Sequence, residues 1–319
     1  MDASHFSTTP TAADAPAPLI EARGITKHFK GFSLDGVSLA VEPGQVLGFV
    51  GQNGAGKSTT IKALLGLIRT DAGEARVLGV PASDLSRTSA GAAAKEQVGI
   101  VFDAIALPGH LRVREAGVLM RRVYRAWDDA LYERYLRDFG LTDPKKLVKD
   151  LSRGMGMKLS LACALAHRPR LLVLDEATAG LDPMARDEVL DLLRAFVSAE
   201  DAAGNPTNAI LMSSHITSDL DKIADTILCI DGGRIMFNVA KDEVTDLMGI
   251  ARCRAADVAR IVAAGAAGER PRQLRHDYGI DLLVPDRFAF AEAFGEVPCD
   301  HMDIDTYMAF MLKGEPAGR

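Results

Sequence analysis

No stretch of this sequence is apolar for long enough to cross a membrane. Its beginning lacks the basic start and apolar stretch of a signal peptide. The expectation is a chain made and kept in the cytoplasm that reaches a membrane only through a partner. Cysteine is scarce. Cys163, Cys229, Cys253 and Cys299 lie far apart without metal-ligand spacing and read as reduced thiols, not as a metal site or disulfide framework. There is no basic excess either: 37 Lys and Arg stand against 43 Asp and Glu, a net charge of −6, so no global field argues for nucleic acid. Neither an internal repeat nor a heptad run is present, which excludes a solenoid and a long coiled coil.

The bulk composition is ordinary. At 319 residues the chain has room for one or two domains, and 48% hydrophobic with 25% charged residues suits a globular protein. The distinctive stretch is Gly51-Gln52-Asn53-Gly54-Ala55-Gly56-Lys57-Ser58, with the spacing G-x-x-x-x-G-K-S of a loop that cradles phosphates. Glycines let the backbone turn tightly and bring its N–H groups onto a polyphosphate. Lys57 adds a positive charge for the outer phosphates, and the Ser58 hydroxyl can ligate Mg²⁺. Residues 45–50 read as a buried strand before the loop. Residues 58–67 read as a helix after it, with its positive end toward the anion.

Residues 1–18, rich in Ala, Pro, Thr and Ser, read as a disordered tail. Strands are expected at 19–29 and 32–41, and Phe29 between them can pack into the core or stack on an adenine ring. Further strands follow at 74–80 and 97–102, the second ending at Asp103, with a short helix or surface loop at 81–94 between them. The texture then turns helical. Val113, Ala116, Met120, Val123 and Trp127 make one apolar stripe over 111–127, read mostly as core packing. Asp128 caps a second helix through Phe139, and Asp143-Pro144 reads as another cap and first-turn pair. Ser152 stands where the cap of a helix to Ala166 belongs.

Leu171-Leu172-Val173-Leu174 ends in Asp175-Glu176 and reads as a parallel strand buried on both faces. Carboxylates at that end stand where open α/β sheets place ligands. Asp182-Pro183 starts another helix, and a strand at 209–213 stops just short of His215, which taken alone reads as structural. Residues 226–230 and 234–237 flank Asp231-Gly232-Gly233, a hairpin signal, and 239–249 read as a closing helix. Residues 250–319 differ in character, with a flexible break at 263–268, a strand at 281–284 and a final helix over 303–312.

With these landmarks in place, residues 19–245 resemble the ATP-binding subunit of ABC transporters, with the motifs in that family's order. Residues 51–58 match the Walker A loop. Leu151-Ser152-Arg153-Gly154-Met155 matches the signature motif, usually L-S-G-G-Q. Residues 171–175 match Walker B, followed by Glu176. Ala179-Gly180-Leu181-Asp182 resembles the D-loop, His215 the switch histidine, and Phe29 falls at the adenine-stacking position.

The resemblance implies an α/β fold: a P-loop NTPase core with a helical insert at about 104–165 and an antiparallel β subdomain, spanning 19–249, then a small C-terminal α+β extension at 250–319. It implies ATP held at Gly51, Asn53, Gly54, Ala55, Gly56, Lys57, Ser58 and Thr59, with Mg²⁺ on Ser58, Asp103 and Asp175. Glu176 would polarise the attacking water, and Lys57 and His215 would contact the outer phosphates. Ser152 and Gly154 would donate to the ATP of a second ATPase subunit in a head-to-tail dimer, and Asp182 would link the two sites. Arg153, Met155 and Ala177 depart from the usual motifs. The sharpest departure is Asp103, where the family usually has the Gln that relays the site's state to the membrane subunit; Asp103 either faces the metal or only caps the next turn.

Residues 154–160, Trp127-Asp128 and the C-terminal segment look like a bacterial branch whose ATPases pair with separate exporter-type permeases for amphipathic peptides, antimicrobials or similar compounds. The competing reading is an ABC-type ATPase acting without a membrane partner. Residues 250–319, beyond every nucleotide motif, are expected to serve dimer contact or regulation and to be removable near Met248 with nucleotide affinity kept.

Overall fold

The computed structural model describes residues 17–317; of the tail expected over 1–18, residues 1–16 lie outside that range. β1 (Ile20–Phe29) and β2 (Phe32–Val41) pair antiparallel, with Phe29 opposite Phe32. β3 (Val46–Val50) leads into the glycine-rich loop and α1 (Lys57–Leu64). β4 (Ala72–Val77) returns to β1, and β5 (Val80–Pro81) completes an antiparallel sheet of order β2-β1-β4-β5. α2 (Ser89–Lys95), capped by the Thr88 hydroxyl, precedes β6 (Val98–Val101).

The helical stretch holds α3 (Val113–Val123), α4 (Asp129–Asp138) and α5 (Arg153–Leu165). Asp128 caps α4 and Ser152 caps α5 by accepting from main-chain N–H groups at 2.9 and 3.2 Å. Two expectations are corrected here. α3 stops at Val123, so the stripe from Val113 to Trp127 is not one buried face: Val113 and Ala116 are buried, Val123 is exposed, and Trp127 lies beyond the helix against Tyr132. Asp143-Pro144 starts no helix, because the Asp143 carboxylate accepts from the Lys145 N–H two residues on and closes a local turn instead.

β7 (Leu171–Asp175), α6 (Pro183–Val197), β8 (Ala209–Ser213), α7 (Thr217–Ile223), β9 (Thr226–Asp231) and β10 (Arg234–Ala240) follow. The main sheet has the order β10-β9-β3-β8-β7-β6, parallel except for the β9–β10 hairpin. Every residue of β3, β7 and β8 is buried, which is why these segments read as unbroken apolar runs. Alternate residues serve opposite faces. Leu47, Phe49, Leu171, Val173 and Leu211 face the core under α1 and the antiparallel sheet. Val46, Val50, Leu172, Leu174 and Met212 face the core under α5 and α6.

The C-terminal part carries β11 (Gly249–Cys253), α8 (Ala255–Ala263), β12 (Arg272–His276), β13 (Gly279–Val284), α9 (Arg287–Ala293), β14 (Cys299–His301), α10 (Ile304–Lys313) and β15 (Glu315–Pro316). Its antiparallel sheet, order β14-β11-β13-β12-β15, covers a small core around Ile261, Leu282 and Phe290. The closing helix expected at 239–249 is shorter, covering 241–247. β10 continues to Ala240, paired with Thr226, and the short helix, π-helical over Glu243–Leu247, leads directly to β11. The stretch 263–268 closes α8 with a turn that buries Ala267. Nor is this part detached: Ile304, Tyr307 and Phe310 of α10 pack into the core that holds Phe237 and Val244.

Candidate functional site

Four parallel strands end side by side, and each releases one motif from its C-terminal end. β3 delivers the loop at Gly51, β8 delivers His215, β7 delivers Glu176, and β6 delivers Asp103. Pairing of Phe49 with Ser213, and of Ser213 with Asp175, sets the three central strands to equal depth. This is the crevice where parallel sheets bind ligands.

The loop needs its glycines for steric reasons. A Cβ on Gly51 would sit 2.3 Å from the Ile230 carbonyl oxygen, and Gly56 enters α1 at φ 121° with Leu34 packed behind it. Lys57 is only 6% exposed. Its ammonium donates to the Gly51 carbonyl at 2.7 Å and reaches the Gln52 carbonyl at 3.4 Å, so the loop itself aims the cation.

Glu176 holds a left-handed backbone, φ 58°, which a side-chain-bearing residue rarely adopts. Its N–H donates to the Ser213 carbonyl at 3.1 Å, and the Ser213 hydroxyl lies 3.2 Å from the same N–H. That twist turns the Glu176 carboxylate over the loop, 3.6 Å from the Lys57 ammonium, with its other oxygen against Nδ1 of His215. The His215 N–H adds a bond at 3.3 Å. Asp175, one residue earlier, stays buried and accepts from the Ser213 hydroxyl at 2.5 Å.

These groups surround a cavity of about 440 Å³. Asn53, Gly54, Gly56, Lys57, Ser58 and Thr59 line its floor, and Asp103, Glu176 and His215 line its walls. Gly51 and Ala55 are buried in the loop and do not face it. Asp175 lies behind it, linked through Ser213. Ser152, Gly154 and Asp182 do not line it; Ser152 and Asp182 serve as caps of α5 and α6. Phe29 neither packs in the core nor reaches the cavity. It is 45% exposed, and Phe32, 6.4 Å away between ring centres, forms the wall instead. Phe32, Gln52, Arg153 and Ala179 are lining residues that the motif reading did not select. Arg153 stood out in the sequence only as a substitution within a motif, with no sign of which cavity it faces.

The donor set suits a hard cation. Ser58 and Asp103 present oxygen ligands to the cavity. Among the described residues no group of three or more His, Cys, Asp or Glu is arranged to cage a metal. A cation held by these two oxygens would complete its shell with water and substrate oxygens, as Mg²⁺ does and structural zinc does not. Among the described residues no helix is long and apolar enough to cross a membrane.

Comparison with known proteins agrees with this geometry. Residues 34–179 match the family model described as ABC transporter. The chain is 32% identical over 274 residues to the daunorubicin/doxorubicin resistance ATP-binding protein of Streptomyces peucetius, covering 84% of this chain and 78% of that protein. It is 30% identical to the bacitracin transport ATP-binding protein of Bacillus licheniformis, over 71% of each chain. A solved ATP-binding subunit of an ABC transporter superposes with a TM-score of 0.61 at 26% identity, covering 71% of this chain and 91% of that one. A dimeric ATP-binding cassette bound to ADP and phosphate shares the fold, with a TM-score of 0.61 at 20% identity over 69% of this chain and 98% of that one. With the loop, the two strand-end carboxylates and the histidine assembled as described, the chain belongs to the ABC transporter family as an ATP-binding, ATP-hydrolysing subunit.

Proposed function

We propose that the chain binds ATP with Mg²⁺ in the cavity at the ends of β3, β8, β7 and β6, and that hydrolysis there drives a separate membrane permease exporting bulky amphipathic compounds. The observation that carries the nucleotide site is the convergence of Lys57, Ser58, Asp103, Glu176 and His215 on one cavity from four strand ends.

Phosphoryl transfer asks the protein mainly for position and charge. The loop N–H groups and the start of α1 take the phosphates, and Lys57, already aimed by two loop carbonyls, offsets their charge. Ser58 and Asp103 would hold Mg²⁺, with Asp175 acting on it through water, and the ion would supply further neutralisation of phosphate charge. Glu176 orients the attacking water. His215, tied to the same carboxylate, contacts the γ-phosphate and keeps Glu176 from swinging away. Phe32 on the cavity wall offers the adenine an aromatic face.

Ser152, Gly154 and Asp182 lie outside the chain's own cavity, which supports their use on a second ATPase subunit in a head-to-tail dimer. The exposed apolar residues Val118, Leu119 and Val123 of α3 support permease docking on the helical part. The permease would hold the chain at the cytoplasmic face of the membrane. Relatives named for daunorubicin and doxorubicin resistance, bacitracin transport and, in Neorhizobium galegae, Nod factor export support this substrate class. The test is Lys57→Ala in the chain co-purified with its permease. ATP binding and turnover should both fall, and undiminished turnover would remove the site assignment.

A further inference from the structure

Glu176 and His215 meet at the cavity, and the segments that carry them meet again outside it. Arg186, the fourth residue of α6, reaches back with a terminal nitrogen to the Leu181 carbonyl at 3.4 Å, in the turn that follows Glu176. Its Nε lies 3.8 Å from a carboxylate oxygen of Asp219, the third residue of α7. The Asp219 N–H donates to the Ile216 carbonyl at 3.2 Å, and Ile216 directly follows His215. One guanidinium therefore spans the turn of Glu176 and the segment of His215. Neither Arg186 nor Asp219 lines the cavity.

The pair is poorly arranged to stabilise the fold. The Asp219 side chain is 1% exposed, and 3.8 Å is too long for a hydrogen bond. Nε of Arg186 and Oδ2 of Asp219 are both buried with no hydrogen-bond partner among the described residues. Loosely paired buried charges lose more in desolvation than their attraction returns, and an apolar pair of similar volume does as well or better. The other buried side-chain atoms without such a partner belong to Thr178 and Asp221, so the unmet polarity falls in the Glu176 turn, α6 and α7. A second ion pair, Asp187 with Lys222 at 2.6 Å, already joins α6 to the far end of α7, and it is exposed. What the buried pair adds is a link one turn from His215.

We propose that Arg186 and Asp219 are positioning residues for hydrolysis, holding the segment of His215 in register with the turn of Glu176. Turnover depends on the pair, and ATP affinity does not, because neither side chain reaches the nucleotide cavity. This rests on the nucleotide reading of the cavity.

The test compares the parent with Asp219→Asn, Asp219→Glu, the apolar double variant Arg186→Met with Asp219→Leu, Asp187→Asn and Lys57→Ala. Steady-state ATP hydrolysis with Mg²⁺ is measured on the chain co-purified with its permease, ATP affinity by calorimetry, and stability by chemical denaturation. Small misplacements of reacting groups are costly, so kcat should fall about ten-fold or more in Asp219→Asn and in the double variant, with ATP affinity within about two-fold of the parent. The double variant should unfold at no lower denaturant concentration than the parent. Asp219→Glu keeps the charge and is one methylene longer, so it should retain most of the turnover. Asp187→Asn should hydrolyse ATP like the parent. Parent-like turnover in the double variant overturns the proposal, and so does a loss of affinity in step with turnover. A turnover loss found only in variants that are also less stable overturns it as well, because the pair would then be merely structural. A Lys57→Ala protein that binds ATP like the parent would instead overturn the nucleotide reading, which separates the two failures.

Discussion

The Thr217 hydroxyl donates to the Asp305 carboxylate at 2.8 Å, joining the first residue of α7 to the first turn of α10 across 88 positions of sequence. Thr217 is two residues beyond His215, so the C-terminal helix braces the segment that presents the histidine. Phe310 of the same helix is fully buried in the core it shares with Phe237. Removing residues beyond Met248 would strip that cover from the core.

Phe310→Ala is therefore expected to cost about 3–5 kcal/mol of stability, and Thr217→Val about 1 kcal/mol. Chemical denaturation checks both. A chain truncated at Met248 that unfolds at the same denaturant concentration as the parent would show that α10 contributes nothing to the core.

Glu176 combines charge with a left-handed backbone. Glu176→Gln keeps size and hydrogen bonding but not charge, and should slow hydrolysis by ~10²–10⁴ with ATP binding kept. At saturating ATP and Mg²⁺ it should form a dimer detectable by light scattering. Glu176→Gly should be equally slow yet no less stable than the parent, since glycine adopts this φ without strain. A marked drop in melting temperature for the glycine variant would mean that the side chain, not the turn, holds the structure there.

Asp103 adds a negative group to a wall of the cavity that already holds Glu176. ATP affinity should consequently depend more steeply on Mg²⁺ in the parent than in Asp103→Ala. Asp103→Gln, which keeps an oxygen ligand without the charge, should lie between them. Titrations with Mg²⁺ at fixed ATP decide this, and three superimposable curves would leave Asp103 with no part in metal binding.

Asp221 on α7 has its carboxyl pushed above the usual range, first by burial and then by Asp303 and Asp305, with Lys241 and His301 opposing. One of its oxygens is buried with no hydrogen-bond partner among the described residues. The folded carboxyl holds its proton to higher pH than the unfolded one. Its stability contribution is therefore full below the unfolded value and lost as pH rises through the folded value. Asp221→Asn should raise the melting temperature at pH 7 by a modest amount, about 1–3 °C given the group's partial exposure and screening. The gain should disappear toward about pH 4, where the parent's carboxyl is protonated as well. Equal melting temperatures for the two proteins across that range would show that Asp221 carries no such penalty.

What the sequence determined by itself is local. The loop at 51–58 is legible because its glycines, Lys57 and Ser58 stand at fixed spacing in one short stretch. The caps at Ser152, Asp128 and Asp182 depend on a side chain meeting an N–H three residues away. The short apolar runs at 171–175 and 209–213 read as buried strands and are buried strands. Signals of this range fail where two patterns look alike nearby, as at Asp143-Pro144, where a local turn replaces the helix, and they blur bounds, as at 239–249, where strand pairing to Ala240 shortens the helix. Only the tertiary structure decided the rest. Strand order put β8 between β3 and β7, which brings His215 to Glu176 and Glu176 to Lys57 although the three are far apart in sequence. The φ of Glu176, the approach of Arg186 to Asp219 and the seat of α10 on α7 arise the same way. Each is set by long-range packing, and packing energy depends on which surfaces meet, not on the residues adjacent in the chain.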